Sequence, residues 1–137
     1  MDVNLTEFNI DEDKIVSVGE CALAGIKVES IRLPRVERIE QQCMVACSNL
    51  KRCDLGSVII ICDCAFDECS SLDTLIIRTP VVCELQRSVF RGTKIVNGGG
   101  YVYVPAALID EYKQTDCWKP YVNQLRAIED YPEITQE

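Results

Sequence analysis

The chain has 137 residues, a natural size for one domain, and 47% of them are hydrophobic, which is ordinary for a packed core and argues against disorder. Fourteen Lys and Arg against 22 Asp and Glu give a net charge of −8, which argues against a nucleic-acid binder; the local basic run Arg32, Arg35, Arg38, Lys51 and Arg52 is interleaved with Glu29, Glu37, Glu40 and Asp54 and reads as a solvated mixed face. There is no histidine, so Ser-His-Asp and Cys-His arrangements are excluded.

Residues 1–14 read as a polar lead-in, acidic and without an apolar h-region, so no secretory signal is predicted and synthesis in the cytoplasm is expected. Phe8 and Ile10 are its candidates for covering the open end of the first coil, which starts at Ile15. No stretch approaches the roughly 18 apolar residues of a membrane span, so no membrane insertion is expected.

From residue 15 to 104 the chain repeats itself. Ile15–Pro34, Val36–Leu55, Val58–Ile77 and Val82–Val104 are four copies of one pattern. An aliphatic residue (Val18, Ile39, Ile61, Leu85) stands four positions before a small or apolar one (Ala22, Cys43, Ala65, Val89). A large apolar residue follows at once: Leu23, Met44, Phe66, Phe90. The copies are offset by 21, 22 and 24 residues, within the period of about 20–29 residues of leucine-rich repeats. Each copy predicts two short extended pieces. The first are Ile15–Val18, Val36–Ile39, Val58–Ile61 and Val82–Leu85; the second are Val28–Leu33, Leu50–Leu55, Leu72–Arg78 and Tyr101–Val104. All are aliphatic or β-branched and too short for helices. Between them a stretch such as Ala65–Ser71 predicts a tight corner or a single helical turn. In the third copy, Ile59, Ile60, Ile76 and Ile77 are expected to be core with one partly exposed stripe.

Nine cysteines fall within this pattern or just beyond it. Cys43 takes the slot of Ala22, Ala65 and Val89; Cys53 takes that of Ile31 and Leu75; Cys47 and Cys69 share one slot with Thr93. Slots that also hold alanine and aliphatic side chains face a core, and free cysteine is among the most buried residue types. No C-x-x-C pair occurs, so a zinc site of the usual spacing is not predicted. Equivalent positions in neighbouring copies lie about 4.8 Å apart, inside the Cα range of a disulfide, so Cys47 and Cys69 could be bridged by oxidation.

The triple glycine in Asn97–Gly100 lacks the Lys-Ser or Lys-Thr of a phosphate loop and predicts a turn or bulge. Beyond it, residues 105–137 predict a helical C-terminal cap and tail. Pro105 suits a helix start, and two short helices are expected, about 106–113 and 118–127, with Trp118 and Tyr121 plugging the end of the stack. The expected fold is therefore mainly β: a short leucine-rich-repeat solenoid of about four coils, with a helical cap.

The segments Ala65-Phe-Asp-Glu-Cys-Ser-Ser-Leu-Asp-Thr-Leu-Ile-Ile77 and Ala22-Leu-Ala-Gly-Ile-Lys-Val-Glu-Ser-Ile-Arg-Leu-Pro34 resemble the BspA-like (Treponema pallidum type) leucine-rich repeats. Tyr103–Lys113, Trp118, Tyr121 and Ala127–Tyr131 resemble a C-terminal cap that follows such repeats in proteins of gut Bacteroidales and their bacteriophages. The resemblance departs at Leu23 and Met44, where the family carries phenylalanine, and at Glu40, Cys62 and Gln86, where it carries glycine. It implies a non-enzymatic interaction module. With no export signal predicted, it points to a bacteriophage virion structural or host-attachment component, with surface adhesion or an intracellular scaffold as the alternative. It carries over no catalytic residue, cofactor or metal.

The expected partner is a protein, a virion subunit or a host surface protein, with a glycan or a second copy of the chain as further classes. The repeat phase sets Glu29, Lys51 and Asp73 in one register, with Arg32 and Asp54 two or three steps on. With Ile76 they form the candidate partner-binding face. The alternative for these charges is that they only pair neighbouring strands.

Overall fold

The computed structural model describes residues 14–135; the expectation for Phe8 and Ile10 lies outside them. The described chain is strand-rich and its strand pairings are all parallel. Four long strands, β1 (Ser30–Leu33), β3 (Arg52–Leu55), β5 (Thr74–Ile77) and β7 (Tyr101–Val104), alternate along the sequence with three short ones, β2 (Arg38–Ile39), β4 (Ile60–Ile61) and β6 (Glu84–Leu85). Long strands pair with long and short with short, so the repeats build two sheets. The register joins Ile31, Cys53, Leu75 and Val102 in one column and Leu33, Leu55 and Ile77 in another. These columns point inward because side chains alternate faces along a strand, and all of their members are buried.

The first copy departs from expectation. Ile15–Val18 forms no strand, although Ile15 and Val18 rest against the core half-buried. The short sheet therefore begins at β2.

The third side of each repeat is a corner, and its backbone explains the spacing. Two positions per corner have positive φ: one column is Cys21, Gln42, Cys64 and Ser88, the other Gly25, Ala46, Glu68 and Gly92. Left-handed residues reverse the chain without a helix, so of the two expected alternatives, a tight corner or a single helical turn, the corner is the one formed. The arrangement aims alternate N–H groups at the next repeat. Gln42, Met44 and Ala46 donate to the carbonyls of Asp63, Ala65 and Asp67, and Cys64, Phe66 and Glu68 donate to those of Arg87, Val89 and Arg91. From the second repeat to the fourth, each is thus bonded to the next on all three sides, and the first is bonded to the second through the long strand and the corner.

The core is continuous through the stack. Cys43, Ala65 and Val89 are buried in one shared slot, and Cys47, Cys69 and Thr93 in another. The third copy supplies the expected apolar stripe, with Ile59 exposed, Ile60 half-buried, and Ile76 and Ile77 fully buried. Gly100 is buried where the turn at residues 97–100 enters β7. A Cβ there would stand 2.9 Å from the Cα of Asp73, so that glycine serves close approach of two backbones.

After residue 104 the structure corrects one expectation. A 3-10 turn, Ala106–Leu108, leads into helix α1 (Ile109–Gln114), as predicted. The second predicted helix, 118–127, is instead an irregular 3-10 segment, Asp116–Gln124, followed by strand β8 (Leu125–Ala127). Pro120 lies inside that 3-10 segment, and a proline cannot supply the N–H of a regular α-helix interior. β8 pairs with β7 and extends the long sheet to five strands. A second short 3-10 turn, Ile128–Asp130, precedes the last helical turn, α2 (Pro132–Thr135).

Candidate interaction face

Of the six residues singled out from sequence, Arg32, Asp54 and Ile76 lie in an outward column of the five-stranded sheet, and Glu29, Lys51 and Asp73 lie at the edge where the chain enters its strands. The sheet's middle columns are Ser30, Arg52, Thr74 and Tyr101, and then Arg32, Asp54, Ile76, Tyr103 and Arg126. One step before them run Glu29, Lys51 and Asp73, joined by Lys51 N–H to Glu29 O at 2.8 Å and Asp73 N–H to Lys51 O at 3.1 Å. Lys51 Nζ is 3.9 Å from Glu29 Oε1, and both side chains are well exposed. An exposed pair of this kind contributes about 0–1 kcal/mol.

The six differ in accessibility. Glu29 and Lys51 are exposed, and Arg32 and Asp73 are half-buried. Asp54 and Ile76, expected on an open face, are buried at 2% and 0% exposure. The reason lies in residues the sequence pattern did not single out. Arg78 binds Asp54 through two parallel bonds, Nε to Oδ1 at 2.8 Å and Nη2 to Oδ2 at 2.9 Å. Arg52 Nη2 donates to Oδ2 at 3.3 Å. The two guanidinium groups then reach over the sheet to the C-terminal segment: Arg52 Nη1 donates to the carbonyl of Ile134, and Arg78 Nη2 to the carbonyl of Thr135. Tyr131 meets Tyr103 edge to face at 5.4 Å, and the Arg126 guanidinium lies 4.5 Å above the ring of Tyr101. The segment Tyr131–Thr135 thus crosses the outer face, meeting Tyr103 on one side of Ile76 and the guanidinium groups that hold Asp54 on the other. The strict alternation Tyr101-Val-Tyr-Val104 was a legible sign that both tyrosines face outward. No local sequence pattern links Arg52 or Arg78 to carbonyls 82 and 57 positions away.

The three-stranded sheet presents a different surface. Where Ile15–Val18 fails to pair with β2, a cleft of about 560 Å3 opens, lined by Val16, Val18, Arg35, Glu37, Arg38 and Ile59 among others. Arg38 spans its rim, donating to Glu40 at 3.2 Å and to Cys62 Sγ at 3.6 Å. The cleft mixes charge of both signs with the exposed side chains of Val16 and Ile59.

The buried thiols of the repeat slots do not combine a lowered pKa with access. Burial pushes Cys43 and Cys83 each up to about 12. Cys69 is raised by its hydrogen bond with Cys47 and then by burial; the same bond lowers Cys47, which is fully buried. A nucleophilic cysteine needs both a lowered pKa and access. Among the described residues no group of His, Cys, Asp and Glu is placed to hold a metal ion, and no helix is long and apolar enough to cross a membrane.

Parallel strands stacked at a period of about two dozen residues, with small residues and thiols recurring in shared core slots, define a repeat protein of the leucine-rich class. Residues 1–99 match the BspA type leucine rich repeat region in six copies. The chain belongs to that family. The match begins at residue 1, so it takes in the segment that reads from sequence as a lead-in, and it counts more copies than the four legible between residues 15 and 104. No curated protein matches the chain.

Proposed function

We propose that the chain is a non-enzymatic protein-interaction module and that the five-stranded sheet face receives its partner. The observation that carries this reading is the ordered array of charge and aromatic side chains on that face and its entry edge, from Glu29 and Lys51 to Tyr101 and Arg126, on a parallel sheet. Repeat proteins use such extended surfaces to bind. Aromatic and arginine side chains are the types enriched at protein interfaces.

The setting we propose is a virion, as a structural or host-attachment component, and the support is the resemblance of the repeats and the C-terminal segment to proteins of gut Bacteroidales and their phages. Surface adhesion and an intracellular scaffold are the competing settings. Mass spectrometry of intact particles from the native source separates them: recovery of the chain in purified virions is expected, and recovery only from cytosol or cell surface overturns the virion setting. The face is tested in the same material by a photo-crosslinking side chain at Lys51 on the long sheet and, as control, at Gln86 beside the short one. Partner adducts at Lys51 and none at Gln86 are expected; the reverse overturns the assignment of the face.

A further inference from the structure

We infer that Tyr131–Thr135 is a strap that fills the outer sheet face in place of an acidic, aromatic-bearing peptide segment of a partner. The inference rests on the five-stranded face being the interaction surface, and it adds the chemistry of what docks there and what must move first.

The grip on the strap is generic. Arg52 and Arg78 hold the main-chain carbonyls of Ile134 and Thr135, and any peptide offers such carbonyls. The grip is also set in advance. Asp54 is buried beneath the two guanidinium groups and bonds to both, so the sheet itself helps to set their orientation. A preset donor pair loses little freedom when a ligand arrives.

The balance of charge favours an acidic ligand. Residues 128–137 contain Glu129, Asp130, Glu133 and Glu137 and no Lys or Arg. The face beneath carries Arg52 and Arg78, with Arg126 over Tyr101 beside them. An aromatic ring completes the fit, because Tyr103 is almost fully buried and receives the edge or face of Tyr131. Ile76, the one aliphatic residue in the outward column, is buried between the two contacts.

The strap's own hold is slight. Its helical turn has four residues, far below the dozen or so that a helix needs to persist alone. Pro132 and Glu133 are exposed and Ile134 is half-buried. The Thr135 hydroxyl bonds back to the carbonyls of Ile128 and Tyr131, which shapes the strap without fastening it to the sheet. A partner segment with one aromatic residue, flanking carboxylates and free carbonyls meets the same groups and displaces it, uncovering Ile76 and Tyr103.

The test uses the full-length chain and a fluorescent peptide with the sequence of residues 128–137. Binding is measured by anisotropy to the wild type and to a Tyr131→Ala, Ile134→Gly double variant, whose strap is weakened and whose repeats are untouched. The expected result is affinity at least about tenfold higher for the variant, equivalent to roughly 1.4 kcal/mol. A peptide with its carboxylates replaced by amides, and one with its tyrosine replaced by alanine, are each expected to lose that gain. Equal affinity for both chains, or no binding to either, overturns the strap. A wild-type dimer in light scattering, with straps crosslinked between subunits, overturns the partner segment in favour of a second copy. Partner adducts at Lys51 together with an unaffected peptide affinity remove the strap alone, whereas adducts at Gln86 remove the face itself.

Discussion

Inside the repeat stack, backbone answers backbone; at its C-terminal end, side chains must do so. Between neighbouring repeats the corner N–H groups find carbonyls one repeat further on, as Phe66 does at Val89. The last short strand has no neighbouring repeat beyond it. There the N–H of Cys83 donates to the Tyr112 hydroxyl at 3.0 Å, and the Trp118 indole N–H donates to the Cys83 carbonyl at 2.7 Å. The core changes in the same way. Within the stack Phe66 and Phe90 lie 6.2 Å apart and nearly parallel. At the end Phe90 is closed off by Trp118 and Tyr121, with Tyr112 packed edge-on to Trp118. An open stack exposes both apolar core and unpaired strand edge, and a buried amphipathic aromatic covers both at once. The end therefore depends on a few large side chains, while the stack spreads its stability over many small ones.

Removing one of those side chains gives the largest expected effect. Trp118→Ala empties a fully buried site and leaves the Cys83 carbonyl without its partner, so a loss of about 3–5 kcal/mol is expected in urea unfolding. Trp118→Phe keeps most of the ring and deletes only the N–H, for about 1–3 kcal/mol. Similar losses for the two variants would show that the hydrogen bond, not the filled volume, closes the stack.

The same contrast explains what the sequence made legible. The inward columns were readable because they repeat: Cys53 could be placed against Ile31 and Leu75 by phase alone, and the register confirms those neighbours. The strand Leu125–Ala127 was not readable, because Leu-Arg-Ala has no partner in the repeat phase and follows an aromatic, helix-like run. Its pairing with β7 is decided by tertiary contact. Ile15–Val18 failed in the opposite direction, having the repeat pattern without the strand. At the entry edge of the long strands the column of Glu29, Lys51 and Asp73 was legible, whereas the burial of Asp54 and Ile76 on the outer face was not. It depends on a segment more than fifty residues away in sequence, and outward positions in a repeat carry no signal of what covers them.

The corners allow a smaller test within the stack itself, since one column of left-handed residues holds both glycine and non-glycine. Gly92 has φ +78, and a Cβ there would stand 3.1 Å from the Glu68 Cα. Gly92→Ala is expected to cost about 1–3 kcal/mol. Ala46, in the same column, has φ 61 and is exposed. Ala46→Gly relieves a strained conformation of about 1–2 kcal/mol and gives back part of that as unfolded-chain entropy, so a small net stabilisation is expected. Opposite signs at two equivalent positions would establish that the corner geometry, and not the residue type, sets the stability of the turn; matching signs would refute it.

The smallest effect is electrostatic and pH-dependent. Asp67 in the third copy is nearly buried and accepts bonds from Arg91 in the fourth, at 2.9 Å from Nε and again from Nη2. The hydrogen bonds from Arg91, outweighing burial, hold its carboxyl below the ordinary carboxylate range, which is about 3.9 in an unfolded chain. A depressed folded-state pKa stabilises the protein at pH values above the unfolded pKa, and that contribution disappears as pH falls through the folded value. Asp67→Asn lacks it at every pH. The difference in urea midpoint between wild type and Asp67→Asn is therefore expected to be steady at pH 6, to shrink below about pH 5 and to be smallest near pH 2. Because the Arg91 side chain is 64% exposed, salt at about 1 M should also reduce it. The deficit of Trp118→Ala should follow neither variable, since it comes from volume and a neutral hydrogen bond. An Asp67→Asn difference that stays constant down to pH 2 would mean that the ion pair between the two repeats contributes nothing, and that the stack is joined there by backbone and core alone.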